Sequence, residues 1–305
     1  MVARVVFLGT PRAAVPTLDA LVIDHDVGLV ITQPDRPRGR SGTPQPPPVK
    51  EKAAEHGLDI AQPATSTELA GAIEEHGPFE VGVVVAFGRI LRPEVLELPR
   101  HGMVNVHFSL LPRWRGAAPV ARALMAGDSM TGVTIMKLDD GLDTGPIISA
   151  QAIDIPPDDD AGMLTDRLAT MGARLLGREL PRYLSGELEP APQTDDGATY
   201  ASKIEKDDRP IDIHADAESI VAQVRGLSPA PAATLEIDGQ THKVLAAQVS
   251  EHEVETGTWS DVEGRPVVGV GDSSIELLMV QPPGKTPRPG VDWLHGRQRS
   301  GGVVR

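Results

Sequence analysis

The stretch FEVGVVVAF, Phe79 to Phe87, sets four valines within the five positions 81–85. Side chains on a strand alternate between faces, so a run apolar at both parities leaves no face for water. Such a run is a strand covered on both sides, the habit of parallel sheets flanked by helices. Upstream, RVVFLG (4–9) and DVGLVIT (26–32) read as strands, and AAVPTLDALV (13–22) and TELAGAIEEH (67–76) as helices. Downstream come the strand GMVNVHF (102–108), the helix APVARALMAG (118–127), the strand TGVTIMKL (131–138), PIISAQAIDI (146–155) and a long helical segment over 161–184. This alternation predicts an α/β fold with a Rossmann-like, mostly parallel sheet.

Beyond the long helix the pattern changes. SGELEPAPQTDDGATY (185–200) is rich in Pro, Gly and acids without an apolar period, which reads as a linker. The remainder has one helix, DAESIVAQVRGL (216–227), then short strands. ATLEIDGQTHKVLAAQV carries Asp238-Gly239 between two apolar runs, a strong hairpin sign. RPVVGVGDSSIELLMVQPP reads as a second hairpin around Gly271-Asp272. Short strands at this spacing predict a small, OB-like β-barrel. The expected organisation is therefore a domain over 1–187, a linker over 188–203 and a barrel domain over 204–305.

Composition narrows the chemistry. At 305 residues, 40% hydrophobic and 24% charged, the chain reads as an ordinary globular protein of two domains. It has no cysteine, which removes disulfides, thiol nucleophiles and Cys-ligated metals. No stretch approaches the roughly 18–20 apolar residues of a membrane span, and the N-terminus lacks the pattern of a signal peptide. The expected location is the cytoplasm. A formal charge of −14 argues against non-specific nucleic-acid binding, though a local basic patch on an acidic body remains open. From Lys203 onward the chain holds 11 basic and 16 acidic residues, so any nucleic-acid contact there rests on a patch, with Lys203 and Lys206 as candidates.

The turn FLGTPRAAVPTL carries only Gly9 where a dinucleotide fingerprint needs three glycines, and there is no phosphate loop ending in Gly-Lys-Ser/Thr. Gly9 reads as a tight-turn residue, and NAD and ATP lose support. QPDRPRGRSGTPQPPPVKEK (33–52) sets Arg36, Arg38, Arg40, Lys50 and Lys52 against Asp35 and Glu51. Its prolines predict a long projecting loop, either solvated surface or an anion contact.

In VNVHFSLLPRWRGAAP (104–119), period-two alternation turns Asn105 and His107 to one side and Val104, Val106 and Phe108 to the other. The segment MKLDDGLDTGP ends a strand and places Asp139, Asp140 and Asp143 in a glycine-bounded loop. Any one of these residues suits a turn or a structural hydrogen bond. Together, an amide, an imidazole and a carboxylate arriving from neighbouring strand ends read as a catalytic set. The nine histidines are scattered with no helical ligand pair, so no metal is expected. Ser109 lacks the G-x-S-x-G elbow of serine hydrolases.

NVHFSLLPRWRGAAP followed by TGVTIMKLDDGLDTGPII closely resembles the formyltransferases that use 10-formyltetrahydrofolate. The FLGTP opening, the TQPDRPRGR loop and the appended β domain resemble the branch of that family acting on initiator methionyl-tRNA. The resemblance implies a formyltransferase fold and transfer of a formyl group from 10-formyltetrahydrofolate, as co-substrate, to the methionine α-amine. On it, Asn105, His107 and Asp143 fall on the catalytic trio. Ser109, Leu110, Leu111 and Pro112 fall on the tetrahydrofolate-binding turn. Phe87, Gly88, Ile90 and Leu91 fall on the pterin wall, with Asp140 beside the cofactor. Arg40, with Arg36 and Arg38, falls on the loop that reads the tRNA acceptor end, and Lys206 is a further expected tRNA contact. Phe108 and Ile213 depart from the family pattern. A monomer is expected. Three other readings stay open: a sibling acting on a small amine such as an amino sugar nucleotide or glycinamide ribotide, a formate-releasing hydrolase, and a non-catalytic folate or nucleic-acid binding module.

Overall fold

The computed structural model describes residues 2–37, 42–297 and 299–305. In chain order the first elements are β1 (Arg4–Gly9), α1 (Val15–Asp24), β2 (Asp26–Ile31), β3 (Arg36–Pro37), β4 (Pro44–Gln45), α2 (Pro48–Glu55), β5 (Ile60–Ala61) and α3 (Ser66–His76). Then follow β6 (Val81–Val85), α4 (Pro93–Leu96), β7 (Met103–His107), β8 (Arg115–Gly116), α5 (Pro119–Met125), β9 (Met130–Lys137), β10 (Ile147–Asp154), α6 (Ala161–Leu184) and β11 (Tyr200–Ala201).

One compact unit comprises Met1–Pro119, Met130–Asp154 and Thr165–Ala201. Its seven-stranded sheet runs β10-β9-β7-β6-β1-β2-β5, with β9 antiparallel to β7 and to β10 and the other neighbours parallel. The mostly parallel sheet is thus present, with an antiparallel edge where Asp143 is carried. All five residues of β6 are buried, and each buried Val contributes about 1.5 kcal/mol or more. Val84 packs with Val6, Leu29, Leu69, Ile73 and Met103 on one face. On the helical side, Thr65 caps α3 by accepting from the Glu68 N–H at 3.1 Å, while the Glu68 carboxylate accepts from Ala64. The Thr65 bond is an ordinary N-cap, and the Glu68 carboxylate ties down the residue just ahead of it.

The second unit comprises Val120–Ser129, Ile155–Leu164 and Ser202–Arg305. Beyond 202 it holds α7 (Ala217–Leu227), β12 (Ala233–Ile237), β13 (Gln240–Val249), β14 (Thr258–Val262), β15 (Arg265–Val270), β16 (Ser273–Gln281), β17 (Arg288–Pro289), α8 (Gly290–His295) and β18 (Gly301–Val303). The antiparallel sheet runs β12-β13-β16-β15-β14-β18. Its two ends meet: Ile237 bridges Val304, and Glu236 and Arg305 exchange backbone hydrogen bonds at 3.1 and 3.0 Å. The sheet therefore curls into the small barrel the sequence predicts. Both expected hairpins are present, with Asp238 and Gly239 at φ +50° and +75° in the first. Trp259 and Trp293 stack edge to face in the core, and the Arg297 guanidinium lies 4.1 Å from the centre of the Trp293 ring.

Two expectations need correction. The segment read as a linker, 188–203, is for the most part built into the first unit: Ala191 pairs with Ile147, and β11 pairs in parallel with β8. The proline-rich segment is not one long loop either. Arg36–Pro37 pairs with Pro44–Gln45, and α2 begins at Pro48, because Pro suits the first helical turn where its missing N–H costs nothing.

Candidate active site

Met103, Asn105 and His107 share one face of β7 by the strand period, and Met103 packs with Phe87, Leu91 and Leu96. An apolar floor thus leads up to the two polar side chains. On the other face, Val106 and Phe108 lie against Gly172 of α6, where a Cβ would sit 2.7 Å from Val106 Cγ1. Phe108 therefore belongs to the helix–sheet core, which is why its departure from the family pattern leaves the polar face untouched.

His107 is buried, and its Nε2 lies 2.9 Å from the Trp114 carbonyl. A carbonyl only accepts, so Nε2 carries a proton and donates. The other ring nitrogen, Nδ1, faces Asp143 Oδ2 at 3.7 Å, too far for a direct hydrogen bond. Asp143 sits at φ +52°, and its Oδ2 accepts the Gly116 N–H at 2.8 Å. The structure therefore brings His107 and Asp143 together with Asn105 two residues away on the same strand face.

The turn after β7 is held from within. Ser109 donates to the Arg113 carbonyl at 2.6 Å, and Thr134 donates to the Ser109 carbonyl at 2.7 Å while accepting from Leu111 N–H. Ser109 is fully buried, and its hydroxyl is engaged in shaping the turn itself. Leu110 packs over Gly132 and Leu111 is buried, while Pro112 is half-buried.

Asp139 is a turn former, accepting from Gly141 N–H and Thr144 hydroxyl at 3.1 and 2.8 Å. Asp140 is exposed and lines a cavity of about 630 Å³ with Leu96, Arg100, Lys137 and Leu138. A second cavity of about 300 Å³ lies at the carboxyl ends of β1, β2 and β6, lined by Thr10, Gln33, Arg36, Phe87 and Gly88 among others. Strand order reverses between β1 and β6, the place where open α/β sheets take ligands. Thr10 and Gln33 side chains both donate to the Phe87 carbonyl, at 3.1 and 3.3 Å. Phe87 and Leu91 are themselves core residues, whereas Ile90 is 86% exposed. Neither cavity includes the trio itself.

Lys50 ties the stems of the arginine-bearing segment together, donating to both Asp35 oxygens at 2.8 Å and to Gln62 at 2.7 Å. Hydrogen bonds from Lys50 and Gln62 hold the Asp35 carboxyl below its ordinary pKa. Arg36 is exposed beside the second cavity, while Arg38 and Arg40 lie outside the described residues. Lys206, in the second unit, is exposed between Glu205 and the acidic pair Asp207–Asp208, and Asp208 is engaged by Arg122 at 2.8 and 2.9 Å. Sequence reasoning missed the partners that hold the site: Trp114 through its carbonyl, Arg115, Gln193 and Thr199. Among the described residues no group of His, Asp and Glu could hold a metal ion, and no helix is long and apolar enough to cross a membrane.

A mostly parallel sheet with a curled antiparallel one is the fold of the formyl transferases, and the chain belongs to the formyl transferase family: residues 3–180 match the formyl transferase model and 203–298 its C-terminal domain. It is 47% identical over 306 residues to a methionyl-tRNA formyltransferase of Halorhodospira halophila, covering 98% of this chain and 97% of that protein. A second relative of that name, from Jannaschia sp., is 43% identical over 99% of both chains. Among solved structures, HypX from Aquifex aeolicus superposes with a TM-score of 0.70 at 15% identity, over 97% of this chain and 48% of that one, so the chain spans about half the length of HypX. An N-formyltransferase from Helicobacter canadensis, solved with folinic acid and dTDP-3-aminofucose, matches with a TM-score of 0.69 at 19% identity, over 91% and 99% of the two chains. At these identities the structures speak for the fold.

Proposed function

We propose that this chain transfers a formyl group from 10-formyltetrahydrofolate to the α-amine of methionine on initiator methionyl-tRNA, for translation initiation. The observation that carries this reading is the near-full-length likeness to methionyl-tRNA formyltransferases, which runs through both units. Siblings acting on small amines share the fold, and the arginine-bearing segment over 36–40 favours the tRNA substrate.

The residues present suit the folate. A flat heterocycle needs an apolar platform and an acceptor for its ring N–H groups; Leu96 and Leu138 beside Asp140 supply both within one cavity. When bound, the folate supplies a formyl carbon on nitrogen. Asn105 donates its amide N–H to the formyl oxygen as charge builds there, where one such donor is worth roughly 10²–10³ in rate. His107 holds one proton at Nε2 against the Trp114 carbonyl, leaving Nδ1 as its working nitrogen. Protonated there, the ring donates to the same oxygen and is stabilised by the Asp143 charge. Asp143 accepts the proton that the attacking amine loses, the His107 Nδ1 proton passes to the folate nitrogen as its bond to the formyl carbon breaks, and Asp143 then returns its proton to Nδ1 across the 3.7 Å gap. Arg36, Arg38 and Arg40 neutralise acceptor-end phosphates, and Lys206 adds a contact from the second unit. The working state is a monomer in the cytoplasm.

The test is formyl transfer from labelled 10-formyltetrahydrofolate to methionyl-tRNA, an amino sugar nucleotide and glycinamide ribotide, with a no-acceptor control. Transfer to tRNA alone is expected. Preference for a small amine, or formate release without acceptor, overturns the reading.

A further inference from the structure

The segment 193–201 fastens both halves of the trio. Gln193 donates from its amide nitrogen to the carbonyls of Asp143 and Gly145 at 2.9 and 2.7 Å. Its amide oxygen in turn accepts from Arg115 Nε and Nη2 at 3.2 and 3.1 Å. Arg115 is 2% exposed and also reaches Asp195 and the Thr194 carbonyl. The next residue, Gly116, donates its N–H to the Asp143 carboxylate. Gly116 is at φ +126°, and a Cβ there would meet the Ala201 carbonyl at 2.6 Å. Thr199 completes the fastening by accepting from Trp114 N–H at 2.9 Å, on the residue whose carbonyl holds His107.

We propose that Gln193, oriented by Arg115, is the positioning residue that keeps Asp143 aimed at His107. Asp143 occupies a left-handed backbone conformation at φ +52°, which few non-glycine residues adopt and which Asp holds more securely when its neighbours support it. Its carbonyl and that of Gly145 both point at one amide, so losing that amide frees the loop to relax. Relaxation moves the carboxylate relative to Nδ1, and a misplacement of about 1 Å costs on the order of 10²-fold in rate. The inference rests on Asp143 being the carboxylate that handles the proton.

The experiment compares Gln193→Met and Gln193→Glu in the full chain. Glu keeps the length and the contact to Arg115 but loses both N–H donors; Met keeps the volume alone. Both are expected to lower kcat roughly 10- to 100-fold with KM for folate and tRNA little changed, thermal melting near wild type, and the acid limb of the kcat–pH profile displaced. If one variant fails to fold, the other carries the test. Combined with Asp143→Asn, either variant is expected to add no further loss, because both act through one group. Near-native kcat in the folded Gln193 variants beside a crippled Asp143→Asn overturns this proposal alone. Losses that multiply in the double variant overturn it too. Near-native turnover of Asp143→Asn itself overturns the site reading beneath it.

Discussion

Replacing Asp143 by Asn is the most exposed prediction of the site chemistry. Asn can present its carbonyl oxygen where Oδ2 stands, so the Gly116 N–H at 2.8 Å keeps an acceptor, and stability should change by no more than about 1 kcal/mol. That amide oxygen then stands 3.7 Å from His107 Nδ1 in place of the carboxylate, and a neutral amide can no longer take up a proton from the amine. General acid–base transfer contributes roughly 10²–10⁴ in rate, equivalent to about 2.7–5.4 kcal/mol of barrier at 1.36 kcal/mol per tenfold. Single-turnover formylation of methionyl-tRNA, with steady-state KM for both substrates, is the assay. The expected result is a fall of that size in kcat with both KM values retained, the signature of an interaction made in the transition state. A folded variant with kcat within roughly threefold of wild type refutes the reasoning.

Three further outcomes follow from other parts of the molecule. Arg36→Ala and Arg40→Ala should weaken tRNA use and flatten its salt dependence while leaving folate binding unchanged; an equal loss of folate binding shows the segment to be a structural support. Burial holds the pKa of His25 and His242 below the ordinary histidine value, so below about pH 6.5 the unfolded chain binds protons that the folded chain does not. Stability should therefore fall as pH drops from about 6.5 towards 5, read by urea melts; a flat profile in the His25→Gln, His242→Gln double variant supports the assignment, and an unchanged slope refutes it. Asp238→Ala removes the acceptor of Trp259 Nε1, Val303 N–H and Arg297 and should cost about 2–3 kcal/mol, measured by chemical denaturation; a loss below about 0.5 kcal/mol contradicts that role.

What the sequence makes legible is local. The β6 valines announce a buried strand because every side chain reports the same environment, and Asp238-Gly239 announces its hairpin because few residue pairs adopt its turn. Asn105 and His107 share a face through the strand period alone. The binding of segment 193–201 is illegible for the opposite reason: Gln193 meets a carbonyl 50 positions away and Arg115 meets Asp195 80 positions away, and neither contact leaves a periodic trace. Ser109 shows a related limit, since a motif position says nothing of whether a hydroxyl points out or into its own turn. The α2 start was readable in principle, because Pro48 opens a helix as readily as it interrupts one. The short β18, Gly301–Val303, has no composition that marks a strand.

The seam where residues 303–305 lie beside 236–238 has a bearing on solution behaviour. A sheet rolled until its ends join leaves no open rim for a stranger's strand to extend. The joining partners stand 65 positions apart at Asp238 and Val303, so this stitch is late to form by its loop-closure entropy. Until it forms, β12 and β14 would each offer a naked ladder of amides, and the segment that covers both is the one beside the Arg297–Asp238 ion pair. Loosening that seam should show first as clumping of the protein during refolding, well before any loss of formyl transfer in molecules already folded.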